Sequence, residues 1–130
     1  MHRDMLYIGG SWTESKGRGR ISVENPATGS IIGSVPEGTE EDADAAVNAA
    51  RDAFDGWSNS SIEERISVLN SLSESFKVRT NELAEIITKE VGTPIEYSKI
   101  AMVGTPRVVA RSYAKMLESY NWEDEVRNST

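Results

Sequence analysis

The chain has 130 residues, no cysteine, and 21 acidic against 14 basic side chains, for a formal net charge of -7. Its length suits one domain with one core, and its acidic balance disfavours nucleic acid or any other polyanionic partner. The missing thiols exclude disulfides, thiolate catalysis and cysteine-based zinc sites. No apolar run reaches the ~20 residues of a membrane span, and Met1-His2-Arg3-Asp4-Met5 leads into no signal-peptide core. The sequence therefore reads as cytoplasmic, with no membrane partner.

Residues 5 to 36 read as two β-hairpins. Leu6-Tyr7-Ile8 runs into Gly9-Gly10, a pair that accepts the positive φ of a tight turn, and Trp12 lies on the return. Ile21 and Val23 alternate with Ser22 and Glu24, the period of a half-buried strand. Asn25-Pro26 and Gly29 then turn the chain, and Ile31 to Val35 returns it, closed by Pro36 and Gly38.

Residues 39 to 121 read as helical. Thr39 is an N-cap, with Glu40, Glu41 and Asp42 in the turn where the helix dipole favours negative charge. Ala43, Ala46, Val47, Ala50 and Phe54 share a face whose small residues allow close approach of a sheet or helix, and Gly56 is expected to end the element. Ser61-Ile62-Glu63-Glu64 predicts a reciprocal capping box opening a second helix, striped by Ile62, Ile66, Leu69, Leu72 and Phe76. A third helix over 82–90 would bury Leu83, Ile86 and Ile87, then stop at Gly92 and Pro94. A fourth, from Ile95 to about Asn121, contains Pro106, which predicts a kink or restart around Gly104-Thr105-Pro106. Glu123-Asp124-Glu125 reads as a polar exit.

No catalytic set assembles from these residues. Gly17-Arg18-Gly19 begins like a dinucleotide fingerprint, but position 22 is Ser and no helix follows to hold a pyrophosphate. Lys16, Arg18 and Arg20 lack interleaved aromatics and read as a solvated loop. His2 is the sole histidine, which leaves a transition metal without a second soft ligand and a serine triad without a placed base. Asp42, Asp44, Asp52 and Asp55 lack the order of a calcium loop and read as helix surface. Glu63 and Glu64 point about 100° apart on a helix and share no site.

Taken in order, Tyr7-Ile8-Gly9-Gly10-Ser11-Trp12, Asn25-Pro26-Ala27-Thr28-Gly29, the helix from Ala43 to Ala53 with Phe54 and Trp57, Arg65, and Glu90-Val91-Gly92-Thr93-Pro94 form one train. That train resembles the N-terminal part of the NAD(P)-dependent aldehyde dehydrogenase superfamily, over almost the whole chain. The resemblance implies an α/β fold, α+β in this portion: hairpins followed by about four helices, as part of a cofactor-binding domain. It implies a parent enzyme that oxidises an aldehyde to a carboxylic acid with NAD or NADP. In such enzymes the catalytic cysteine, the general-base glutamate, the oxyanion asparagine and the phosphate-contacting loops all come later in the chain. The thiolate forms the thiohemiacetal from which hydride leaves to nicotinamide, so this chain alone is expected to be inactive and to bind no NAD(P).

Two lesser roles carry over by position. Val23 and Glu24 match backbone carbonyls, and Glu90 a carboxylate, that hold a monovalent cation in many members; Thr105 matches a position that lines the substrate channel. Thr93 departs from the Lys of a common Gly-Lys-Pro, which leaves subfamily and aldehyde unassigned. Val126-Arg127-Asn128-Ser129-Thr130 falls where the family begins its oligomerisation hairpin, so a homo-oligomer, or association through exposed apolar faces, is expected. The leading reading is thus a truncated form of an aldehyde dehydrogenase. A non-catalytic module that docks onto full-length dehydrogenase subunits is the second, and an unrelated small α+β adaptor the third.

Overall fold

The computed structural model describes residues 4–122; His2, Glu123-Asp124-Glu125 and the segment from Val126 to Thr130 lie outside them. The first hairpin pairs β1 (Leu6–Ile8) with β2 (Ser11–Thr13). Gly9 and Gly10 join them at φ of 59° and 80°, the left-handed values that a two-residue type I′ turn requires. Tyr7 and Trp12 face each other across the strands, edge to face, with ring centroids 5.1 Å apart. The second hairpin pairs β3 (Arg20–Asn25) with β4 (Ser30–Pro36) as a separate two-stranded sheet. Val23 lies opposite Gly33 but Glu24 lies opposite Ile31, so Ile32 is an extra residue and the strand bulges there.

Helix α1 (Glu40–Ser58) opens on a reciprocal capping box. Thr39 Oγ1 accepts from the Asp42 N–H at 3.2 Å, and Asp42 Oδ2 accepts from the Thr39 N–H at 3.0 Å. The box expected at α2 (Ile62–Val78) is only half formed: Ser61 Oγ accepts from the Glu64 N–H at 3.1 Å without a return bond from the Glu64 carboxylate. Gly56 does not end α1, which continues to Ser58. The reason is that side chains, rather than a left-handed glycine, satisfy the last carbonyls. Asn59 Nδ2 donates to the Asp55 carbonyl at 2.7 Å, and Arg65 Nη2 donates to those of Trp57 and Ser58 at 3.1 and 2.9 Å.

Helix α3 (Thr80–Val91) stops where glycine allows it: Gly92 adopts φ 78° and its N–H donates to the Thr88 carbonyl at 3.0 Å. The long fourth helix is divided into one α-turn, α4 (Ile95–Tyr97), a π-helical stretch over Ser98–Val103, and α5 (Gly104–Leu117), which stops short of Asn121. Pro106 accounts for the division. It offers no N–H, and in a continuous α-helix its ring would collide with the carbonyl of Met102; the wider π winding lies at that residue, and α geometry restarts at Gly104.

The core lies among α2, α3, the π segment and α5. Its buried apolar residues are small (Ala84, Val103, Ala110 and Ala114), so the helices approach closely. Ser73 Oγ on α2 donates to the Arg107 carbonyl on α5 at 3.1 Å. Of the predicted stripes, Ile66, Leu69, Phe76, Leu83, Ile86 and Ile87 are half-buried, while Ile62 and Leu72 are exposed. α1 meets the first hairpin through its alanines: a Cβ on Gly9 would stand 3.6 Å from that of Ala49. The face carrying Ala43, Ala46, Val47, Ala50 and Phe54 is otherwise exposed, Phe54 to 66%. Among the described residues no helix is long and apolar enough to cross a membrane.

Candidate functional site

Two turns far apart in sequence meet in space. Between β3 and β4, Asn25 Oδ1 accepts from the Ala27 N–H at 2.9 Å and the Asn25 carbonyl accepts from the Gly29 N–H at 2.8 Å. This Asx-type closure fixes Pro26 outward. Against it sits the turn after α3: a Cβ on Gly92 would lie 2.9 Å from Pro26 Cγ. Only glycine combines that approach with a left-handed φ.

The contact brings Val23 and Glu90 to the walls of one groove of about 450 Å³, with Ile32, Val35 and Ile86 as apolar lining. Glu82, Glu85 and Lys89 also border it. Glu82 is held by Arg79, whose Nε and Nη2 donate to it at 2.9 and 2.8 Å and whose own pKa the pair raises. Glu24, next to Val23, is exposed on β3 opposite the bulge, and the shift in register falls between these two residues. Glu90 occupies the last turn of α3, where the helix dipole disfavours a carboxylate unless a cation stands nearby. No three His, Cys, Asp or Glu side chains among the described residues gather closely enough to hold a metal ion between them. Val23 and Glu90 line the groove and Glu24 is not among its lining residues; oxygen donors of the kind these residues carry suit a hard cation and not a soft transition metal. Thr105 lies elsewhere, exposed in the first turn of α5.

Three features escaped the sequence reading. Asp42, expected on the helix surface, is buried at 5% exposure. Its carboxylate accepts from Ser15 Oγ at 2.7 Å, the Lys16 N–H at 3.1 Å, and both the N–H and hydroxyl of Thr39 at 3.0 and 2.9 Å. The Ser15 hydroxyl first, then the Thr39 N–H, hold its pKa well below the ordinary carboxylate range, although burial opposes them. The strap 14–17 is thereby tied to the start of α1; the spacing Thr39-x-x-Asp42 was the available signal. Arg65, legible only as part of a motif, joins α1 to α2: besides the two carbonyls, its Nε donates to Ser60 Oγ at 2.9 Å and its guanidinium lies 5.6 Å from the Trp57 ring centroid. Ser98, fully buried, gathers the hydroxyls of Thr88 and Thr93.

The profile of the aldehyde dehydrogenase family matches residues 12–129. The chain belongs to that family. Its hairpins and helices form an N-terminal portion of the α/β aldehyde dehydrogenase fold. It superposes on an aldehyde dehydrogenase from Bartonella henselae with a TM-score of 0.93 at 25% identity, covering 100% of this chain and 27% of that one. Aldehyde dehydrogenase C from Pseudomonas syringae, solved with NAD+ and octanal, gives 0.91 at 32% identity, covering 98% and 27%. In sequence the chain is 45% identical over 90 residues to a 3-succinoylsemialdehyde-pyridine dehydrogenase from a Pseudomonas species. That match covers 69% of this chain and 19% of its relative. The chain thus spans about a fifth to a quarter of the length of the proteins it resembles. The unrelated-adaptor reading falls with the family match.

Proposed function

We propose that this chain supplies the hairpins and first helices of an aldehyde dehydrogenase cofactor domain, and that the complete cytoplasmic enzyme oxidises an aldehyde to a carboxylic acid with NAD or NADP. The observation that carries the reading is the family match together with the meeting of its two turn motifs, Pro26 against Gly92. The chain has no cysteine, hence no thiolate to take up the aldehyde carbonyl, and by itself it turns over no substrate. Within the enzyme, the carbonyls of Val23 and Glu24 and the carboxylate of Glu90 hold a monovalent cation at the groove, and Thr105 borders the substrate channel. The nicotinamide cofactor, when bound, accepts the hydride; the residues here brace the domain that binds it.

The test is an assay of nicotinamide reduction across aliphatic and aromatic aldehydes, for the 130-residue chain and for a protein joining it to a cysteine-bearing dehydrogenase remainder. Turnover only by the joined protein is the expected result, and enzyme-like turnover by the chain alone would overturn the proposal. A second reading rests on a separate observation: Phe54, Ile100 and Val108, on three different elements, are 66%, 74% and 65% exposed, apolar side chains that docking on full-length dehydrogenase subunits or on other copies would cover. A chain that sediments as a monomer and is not retained by immobilised full-length dehydrogenase excludes it.

A further inference from the structure

The hydroxyl cluster between the end of α3 and the π segment has no role in the reading so far. Ser98 is completely buried, and its Oγ lies 2.6 Å from Thr93 Oγ1, 2.9 Å from Thr88 Oγ1 and 3.3 Å from the Pro94 carbonyl. A hydroxyl offers one donor and two acceptor sites, so three partners saturate it. Donation to Pro94 would leave both threonine hydroxyls donating to Ser98. The cluster brackets the turn from both sides. Thr88 also accepts the capping N–H of Gly92 through its carbonyl, and the Ser98 N–H donates to the Pro94 carbonyl at 2.9 Å. Everything between, including the residue pressed on Pro26, is fixed at both ends by hydrogen bonds, the hydroxyl ones gathered on the buried Ser98. Glu90 leads directly into this segment. Thr93 is the residue whose side chain turns inward to make the shortest of these bonds.

We infer that Thr88, Thr93 and Ser98 are positioning residues: their hydroxyl network locks the 91–94 turn onto Pro26 and so holds Glu90 beside Val23 for the cation. The inference rests on the cation reading for its purpose but not for its geometry, and two readouts separate them. The full chain is compared with Thr93→Val, which keeps the shape and removes the hydroxyl, with Thr93→Ser, which restores it, and with Glu90→Gln. Amide hydrogen exchange at Gly92 and Ser98 reads the lock without any cation. It is expected to quicken about 5- to 100-fold in Thr93→Val, as for loss of a buried hydrogen-bond partner, and to return toward wild type in Thr93→Ser.

The second readout is the melting temperature in potassium chloride against choline chloride at equal ionic strength. The potassium needed for half-maximal stabilisation should rise about 10-fold or more in Thr93→Val, recover in Thr93→Ser, and have no counterpart in Glu90→Gln, which loses the response. Unchanged exchange in Thr93→Val overturns the positioning role. Quickened exchange with an unchanged potassium response overturns the link to Glu90. A wild-type chain indifferent to potassium overturns the cation reading and, with it, that link, while the lock itself is decided by exchange.

Discussion

Gly92 concentrates two physical demands, and Gly92→Ala tests both. Its φ of 78° lies in the left-handed region, which costs an L-residue about 1–2 kcal/mol. The added Cβ would also meet Pro26 Cγ at 2.9 Å, inside van der Waals contact, and the rigid ring cannot rotate away; such overpacking costs about 1–3 kcal/mol. Against these, alanine lowers the entropy of the unfolded chain, a gain of about 0.4–1 kcal/mol. The net expectation is a loss of about 2–3 kcal/mol, or roughly 10 °C in Tm for a chain of this size. Urea and thermal unfolding measure it, and the Pro26→Ala background divides it. Without the ring the steric part disappears and only the dihedral part remains, so the two substitutions should couple by about 1 kcal/mol or more. A Gly92→Ala chain within about 0.5 kcal/mol of wild type, or one with the same cost in both backgrounds, would refute the claim that the two turns are pressed together.

Arg65→Lys keeps the charge but loses the fork that spans Ser60, Trp57 and Ser58; discounted for partial solvent access, the cost should be about 1–2 kcal/mol in urea unfolding, and a neutral result would deny that Arg65 staples α1 to α2. Asp42→Asn should destabilise the chain at neutral pH. Because the folded pKa of Asp42 is depressed, its contribution is fully present above the unfolded value of about 3.9 and is lost as pH falls through and below it. The stability gap between wild type and Asp42→Asn should therefore narrow from pH 6 to pH 3, and a constant gap would refute the assignment. Phe54→Asp, on an exposed face, should leave stability within about 0.5 kcal/mol while reducing self-association in sedimentation velocity; unchanged association would remove that face from the contact.

Local signals carried much of this structure because local physics decides those parts. Gly9-Gly10 can hardly do otherwise than turn, Thr39 and Ser61 cap the helices they precede, and Gly92 stops α3 as its lack of a Cβ permits. Where the reading went astray, a distant partner had changed the local balance. Gly56 looked like a helix stop, yet α1 runs past it to Ser58, where Arg65 from the next helix satisfies the final carbonyls. Asp42 looked like surface because the strap bearing Ser15, which buries it, is remote in sequence. Pro106 announced a break but not its form; the π winding is completed by burial of Ser98 and Val103 against α3 and α5, which no pattern within that segment encodes.

The candidate site follows the same rule. Val23 and Glu90 were placed together by resemblance, and both line one groove in the structure, where the close approach of Gly92 to Pro26 joins the end of β3 to the end of α3. What neither motif foretold is how that end is kept still. In a family pattern Thr93 is merely a missing lysine; in space it is one of two threonine hydroxyls that close over a buried serine. A long cation at that position would reach outward into solvent, whereas a short hydroxyl can bond inward, so the substitution changes which side of the turn is anchored. Thr93→Ser preserves that inward bond, whereas Thr93→Lys would leave buried Ser98 one partner short.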